Sequence, residues 1–230
     1  MAKTIVVVGF GTGVSAAVAE KFGAEGFSVA LVARSEDRLA AGVAALKAKG
    51  VDAVAVSADA SVPAAIQAAI QRARAELGPV TVIHWNAYGG GESGDLIATD
   101  PTQARGVFDV AVVGLLAAVQ EALPDLKGSG DGAVLITNGA FGDATPEMNQ
   151  VAVNLKSMGL ALANAAKHKL AGLLAARLRD DRVYVGEVTI AAVVKGTPWA
   201  TGADGIEPSA IADRFWELYE GRSAPSARVS

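Results

Sequence analysis

Ile5-Val6-Val7-Val8-Gly9-Phe10-Gly11-Thr12-Gly13-Val14-Ser15 is the stretch that decides the fold. Four β-branched residues without polar alternation suit a parallel strand buried on both faces. Three glycines at alternate positions follow at once. A segment of small residues, about Val14–Ala24, then reads as a helix. Glycines permit a tight turn and let backbone N–H groups approach a pyrophosphate, and the helix adds its positive end. A turn without a ligand can use the same glycines. The dinucleotide reading requires a strand before the turn, a helix after it and a strand–helix–strand unit around it, and all three are present here.

The alternation continues along the chain. Ser28–Ala33 reads as a second strand, with Ser35 capping a helix to about Lys49. Asp52–Val56 is a third strand, followed by a helix that starts near Ser61 and Pro63 and stops at Gly78-Pro79. Val80–His84, Gly132–Thr137 and Arg182–Val188 are further strands. Helices are predicted over about Thr102–Leu123, Gln150–Arg179 and Ser209–Glu220, and the tail has room for a short seventh strand. This pattern predicts an α/β class, a doubly wound Rossmann fold. Its parallel sheet has six to seven strands, with helices on both faces. No linker interrupts residues 1–230, so they read as a single dinucleotide-binding domain. Ligands of such sheets lie beyond the carboxyl ends of the strands.

Composition narrows the function classes. The 230 residues are 51% hydrophobic and 19% charged, which excludes disorder as the dominant state. Twenty Lys and Arg against 24 Asp and Glu leave a net charge of −4, so there is no basic footprint for nucleic acid or anionic lipid. The absence of cysteine excludes disulfides, thiolate catalysis and Cys-ligated zinc. Only His84 and His168 offer imidazole, far apart in sequence, so no metal cage is expected. The longest uncharged apolar stretch, Val110–Val119, is short of the ~20 residues that a membrane helix needs. A soluble cytoplasmic protein without a membrane segment is expected.

The end of the second strand bears on the nucleotide. A carboxylate there would bond a ribose 2′-hydroxyl and favour NAD. The sequence has Ala33-Arg34-Ser35 instead, which offers a 2′-phosphate a guanidinium fork and a hydroxyl. NADP(H) is therefore expected in preference to NAD(H). A plain helix start would use the same two residues.

The spacing of Gly9, Gly11 and Gly13, with Thr12 between them, resembles the Gly-x-Gly-x-Gly-Ile-Gly turn of the short-chain dehydrogenase/reductase family. Val14 replaces the isoleucine and Ser15 the last glycine. Asp59, in Ala58-Asp59-Ala60, matches the family aspartate beside the adenine ring. Trp85-Asn86-Ala87-Tyr88 resembles Asn-Asn-Ala-Gly, with Asn86 and Ala87 kept and Tyr88 in place of glycine. The resemblance runs from about Thr4 to Tyr219. It implies the Rossmann fold, a cofactor site at Gly9, Gly11, Thr12, Gly13, Val14, Arg34, Ser35, Asp59, Asn86 and Ala87, and hydride transfer on a carbonyl or alcohol.

The family's catalytic pattern fits less well. Its helical asparagine aligns with Ala111, and its serine after the fifth strand aligns with Asn138, in Ile136-Thr137-Asn138. The Tyr-x-x-x-Lys motif is not found, since the only tyrosines are Tyr88, Tyr184 and Tyr219. Counting forward from the fifth strand, Ala152 replaces the tyrosine and Lys156 is the lysine. Counting back from the sixth, Leu160 and Asn164 take those places. The second alignment keeps the apolar spacing unbroken and implies extra residues over about Phe141–Ser157. Asn138, Thr137, Tyr88 and Lys156 are the catalytic candidates. His168, in Lys167-His168-Lys169, reads as an exposed helix face, and His84 as a core histidine.

The expected function is an atypical NADP(H)-dependent oxidoreductase acting on a small carbonyl or alcohol. A non-catalytic NADP(H)-binding sensor or assembly subunit is the alternative, and a non-redox enzyme on the same fold is a third reading. Substrate is expected between Gly89–Ile97 and the loop Val194–Gly205, with Trp199 and Met148 as lining candidates. The apolar surface of the two longest helices predicts a homodimer or homotetramer.

Overall fold

The computed structural model describes residues 3–89, 93–197, 200 and 204–230. Its seven strands are β1 (Lys3–Val8), β2 (Phe27–Ala33), β3 (Ala53–Ser57), β4 (Val80–Trp85), β5 (Ala133–Gly139), β6 (Tyr184–Ile190) and β7 (Ser226–Val229). They form one sheet in the order β3-β2-β1-β4-β5-β6-β7. Every pairing is parallel, including that of the last strand with β6. The order reverses between β1 and β4. This is the crevice where doubly wound sheets hold nucleotides.

The helices are α1 (Val14–Ala24), α2 (Glu36–Ala48), α3 (Pro63–Leu77), α4 (Gly106–Phe108), α5 (Leu115–Gly128), α6 (Pro146–Asn154), α7 (Met158–Leu178) and α8 (Pro208–Gly221). Alternation along β1 shows how two layers arise. Val6 and Val8 join the core beneath α3, α5 and α7. Ile5 and Val7 join the core beneath α1, α2 and α8. All four are fully buried, each contributing about 1.5–3 kcal/mol of transfer free energy.

Two helix boundaries differ from the sequence expectation. The stretch Gln150–Arg179 is not one helix: α6 ends at Asn154, and α7 starts at Met158. Lys156 between them adopts a left-handed backbone, with φ of 49°. The break follows from a tether at the start of α7. The Met158 amide donates to the Gly94 carbonyl at 3.1 Å and the Gly159 amide to the Ser93 carbonyl at 2.9 Å. The segment predicted to end at Leu123 instead continues through Pro124 to Gly128. The buried stripe Leu115, Ala118, Val119, Ala122 and Leu126 holds it on the sheet.

Ahead of α5 the backbone widens into a π-helical segment, Asp109–Gly114. Such bulges often mark functional regions. The helical run Gln103–Gly128 is long and apolar enough to cross a membrane, yet α5 packs on α3 and β4, and 44% of the most apolar window is buried.

His84 on β4 is fully buried, meets Phe215 edge-on and shares a 3.0 Å hydrogen bond with the Thr137 hydroxyl through Nε2. Burial lowers its pKa from 6.5 to about 3. Between those values the unfolded chain binds the extra proton, so stability is lost as pH falls through that window. From pH 7 to pH 5 this loss is expected to reach about 2 kcal/mol in urea unfolding. The pH dependence of the His84→Asn variant should be weaker by that amount.

Candidate active site

The turn after β1 is built by close approach. Gly9 has φ of 83°, and its amide donates to the Val32 carbonyl at 2.9 Å. A Cβ on Gly9 would collide with the backbone and side chain of Ala87, so the loops after β1 and β4 touch here. Asn86 locks the contact. Its amide donates to the Val8 carbonyl at 2.8 Å, and its Nδ2 donates to the Gly9 carbonyl at 3.2 Å. Gly13, with φ of 94°, starts α1 without a side-chain cap, so the first helical amides face the crevice unshielded. A Cβ on Gly13 would stand 3.0 Å from the Thr197 methyl group, which places the loop after β6 over the helix start.

Ser15 does more than replace a glycine. Its buried hydroxyl accepts from the Gly11 amide at 2.9 Å and donates to the Gly11 carbonyl at 3.0 Å. Thr12 and Val14 complete this turn, with Val14 buried at the start of α1.

Arg34 is exposed just beyond β2. Ser35 caps α2, its hydroxyl accepting from the Arg38 amide at 3.4 Å. Arg38 was missed from the sequence. Its Nη1 lies 3.8 Å from where a Cβ on Gly11 would be, so a second guanidinium borders the turn. The available signal was its position one helical turn after Arg34. Asp59 accepts from the Ser61 amide at 2.9 Å and the Ser61 hydroxyl at 2.7 Å. These bonds, with Arg34 nearby, hold its carboxyl below the usual range.

The catalytic candidates disperse. Thr137 points to the α8 side and is engaged by His84, whereas Asn138 faces α7. Thr137 and Asn138 therefore do not converge on one side of the sheet. Tyr88 is 66% exposed in the loop after β4. Lys156, expected to point into the cleft, lies instead in the exposed turn before α7, because the helix starts only at Met158. Asn164 is the α7 residue at the site. Its backbone carbonyl accepts from Asn138 Nδ2 at 3.0 Å. Ala111 packs with Val107 and Ala163 in a small apolar cluster. Met148 is half-buried on α6, and Trp199 lies outside the described residues.

Asn138 opens onto a charged array that the sequence reading did not identify. Its Nδ2 also donates to Glu187 Oε1 at 2.6 Å, and its Oδ1 accepts from the Gly139 amide at 3.0 Å. Glu187, on β6, is buried, and its other oxygen lies 2.5 Å from His168 Nδ1. Lys167 is buried beside this carboxylate, its pKa lowered to about 8 by burial against the opposing pull of Glu187. Asn138, His168 and Thr189 line a cleft of about 740 Å³, as do Asp143 and Arg228, which form an ion pair at 2.8 Å. The available signal was one glutamate inside the apolar run Tyr184–Ile190.

Comparison with known proteins gives a consistent result. The profile of the short chain dehydrogenase family matches residues 3–196. The chain is 28% identical over 192 residues to the oxidoreductase asL5 of Sarocladium schorii, covering 83% of this chain and 72% of that protein. L-sorbose reductase from Gluconobacter frateurii, solved with NADPH and L-sorbose, superposes with a TM-score of 0.85 at 21% identity, covering 100% of this chain and 95% of that one. An NADPH-bound short chain oxidoreductase from Pseudomonas aeruginosa PAO1, described as containing an atypical catalytic center, also gives 0.85, at 20% identity over 99% and 95% of the two chains.

Asn138 neutralises part of the burial cost of Glu187. Asn138→Leu should leave one carboxylate oxygen without its donor and lower stability by about 1–3 kcal/mol in urea unfolding at pH 7.

Proposed function

Because the chain belongs to the short chain dehydrogenase family, we propose that it is an NADP(H)-dependent oxidoreductase of atypical design, acting on a small carbonyl or alcohol. The carrying observation is the crevice at the strand-order reversal, where the Gly9–Ser15 turn, the open start of α1 and the Arg38 guanidinium border one space. The residues fit the cofactor. Gly9 and Gly13 keep side chains out of the place where a pyrophosphate approaches, and the α1 amides supply its donors. Arg34, Ser35 and Arg38 supply cations and a hydroxyl where a 2′-phosphate would lie. No carboxylate occupies the end of β2 itself. Asp59 stands ready at the adenine end, and Asn86 with Ala87 forms the inner wall. The NADPH complexes of the Gluconobacter and Pseudomonas proteins support the same preference.

When bound, NADPH supplies the hydride. Asn138, in the serine's place, is a positioning amide and not an acid. Leu160 and Asn164 stand where the family has its tyrosine and lysine, and no tyrosine lies on α7. These substitutions also favour the second reading, a non-catalytic NADP(H)-binding sensor or assembly subunit. Cofactor oxidation during turnover separates the two.

The protein is further proposed to be a single-domain cytoplasmic homo-oligomer. Leu162 and Leu173 on α7 and Val113 before α5 expose apolar side chains on the outer helical layer. Light scattering should show a dimer or tetramer at micromolar concentration, and a Leu162→Glu, Leu173→Glu double variant should shift it to smaller species. A clean wild-type monomer defeats this expectation.

Calorimetry is the primary test of the cofactor reading. NADPH should bind more tightly than NADH. Arg34→Ala or Arg38→Ala should weaken NADPH about 10–100-fold, the value of a charge-assisted phosphate contact, and NADH much less. Absence of binding by either nucleotide would make the Gly9–Ser15 turn purely structural and end the oxidoreductase reading.

A further inference from the structure

We propose that the Thr137 hydroxyl, oriented by the buried His84 imidazole, is the hydrogen-bond donor that holds the carboxamide oxygen of the nicotinamide ring. The inference rests on the cofactor reading above and deepens it, by naming the residues that receive the ring end of the dinucleotide.

The orientation of the hydroxyl follows from an unpartnered atom. His84 Nδ1 is buried and has no hydrogen-bond partner among the described residues. Such groups are rare in folded proteins and costly. The ring meets Phe215 with centroids 4.8 Å apart, and its Nε2 lies 3.0 Å from Thr137 Oγ1. Burial lowers the imidazole pKa to about 3, so near neutral pH one ring nitrogen carries a proton and the other a lone pair. A proton on Nδ1 would leave a buried N–H without an acceptor. A proton on Nε2 is donated to Thr137 and leaves only a lone pair unpartnered, the less costly arrangement. The imidazole is therefore the donor and Thr137 Oγ1 the acceptor. The threonine proton must then go elsewhere. Among the described residues this hydroxyl makes no other hydrogen bond. A leucine and a valine would fill the same space without an unpartnered nitrogen, so packing alone does not account for the pair.

Position identifies what the hydroxyl meets. Trp85 pairs with Ile136 and Thr137 with Val188, so Thr137 stands in the row of strand ends between Asn86 and Val188. Asn86 is the residue that holds Gly9 at the crevice floor. Strand alternation puts Thr137 on the same face of the sheet as His84 and Val188. Val14 at the start of α1 and Val194 in the loop after β6 pack on that face too. Thr197, in the same loop, reaches the start of α1 at Gly13. Thr137 is thus half-buried in the row that Gly9 and Asn86 begin, on the face that the open end of α1 shares.

Arg34 and Asp59 mark the adenosine end, beyond β2 and β3. A dinucleotide whose pyrophosphate meets the start of α1 carries its other half past β1 toward β4 and β5. Thr137 lies there. Its hydroxyl is neutral, and two charged residues of the segment after β6, Lys195 and Glu207, are paired with each other at 2.7 Å. A neutral donor suits an uncharged acceptor, and the ring carboxamide has one. Holding that oxygen fixes the orientation of the ring and the face it presents to a substrate. His84 does not touch the ring. It is a positioning residue, which turns the Thr137 proton outward by occupying the oxygen from the core side.

The test uses calorimetry with three probes on the wild-type protein, Thr137→Val and Thr137→Ser. The probes are NADP+, its thionicotinamide analogue, in which sulfur replaces the carboxamide oxygen, and 2′-phospho-ADP-ribose, which lacks the ring. Thr137→Val should weaken NADP+ about 3–10-fold, the value of one neutral hydrogen bond. Its affinity for 2′-phospho-ADP-ribose should stay within about twofold of the wild type, which also shows that the variant is folded. Thr137→Ser, which keeps the hydroxyl, should regain NADP+ affinity. The thio analogue should bind the wild type more weakly than NADP+, because sulfur is a weak acceptor, and Thr137→Val should remove that difference. Nitrogen-15 NMR of the ligand-free wild type should show His84 protonated at Nε2, with its signals assigned by their loss in His84→Asn.

A proton on His84 Nδ1 overturns the inference. So does equal wild-type affinity for NADP+ and the thio analogue, a measurement that needs no variant to fold. Thr137→Val that binds NADP+ like the wild type, or that loses NADP+ and 2′-phospho-ADP-ribose alike, overturns it as well. In each case the cofactor reading stands, because the wild type still binds NADP+. Absence of wild-type binding to all three probes overturns the cofactor reading itself.

Discussion

A parallel sheet must be covered on both faces, because its strands are joined by crossovers that lie across those faces. In this protein the constraint sets everything else. Seven strands run the same way, so all their carboxyl ends emerge along one edge. The loops after β1, β2, β4, β5 and β6 are thereby gathered there, although they come from five distant parts of the chain. The order reversal beside β1 parts those loops, and Gly9 and Ala87 meet at the bottom of the gap without a side chain between them. The crevice is thus a consequence of strand order, and its glycines are a consequence of how closely β1 and β4 bring their loops together.

The same sheet carries a second feature at a different depth. Glu187 is the one charged side chain of its strand, and it is buried. It persists because every partner that a carboxylate needs is supplied: the Asn138 amide, the His168 imidazole and the nearby Lys167 ammonium. Each of those comes from β5 or α7. Displacing α7 along its axis by one turn would separate His168 and Lys167 from the carboxylate. The tether from the Met158 and Gly159 amides to Gly94 and Ser93 opposes that displacement. Helix α6 and the break at Lys156 therefore help set the position of α7 on which the charged array depends.

Several features were legible in the chain because they are local. The Gly9–Gly13 turn is one, since the strand, the turn and the helix that give it meaning are contiguous. Arg34 and Ser35 are another, since a strand end and a helix cap identify their place. That α7 carries no tyrosine is a third, since it is a statement about composition. Arg38 was equally local and was overlooked, although it stands one turn beyond Arg34. Other features were misread for a physical reason. Lys167-His168-Lys169 has the look of a solvated helix face, but a helix turns by about 100° per residue. Adjacent residues therefore face different surroundings: His168 and Lys169 are exposed as that look implies, and only Lys167 lies buried. Thr137 and Asn138 look like joint candidates in sequence, yet strand alternation sends them to opposite faces.

The sequence by itself determined the element order, the parallel class of the sheet and the glycine turn. Periodicity, glycine placement and residue type act over a few positions, and these features need nothing further. Only the tertiary structure decided which polar groups meet. Asn138, Asn164, Lys167, His168 and Glu187 belong to β5, α7 and β6. Their contact depends on the register of β5 with β6 and on how α7 lies across both strands. Register and helix placement come from packing apolar surfaces distant in sequence. No local pattern specifies that a half-exposed imidazole will sit 2.5 Å from a buried carboxylate nineteen residues away.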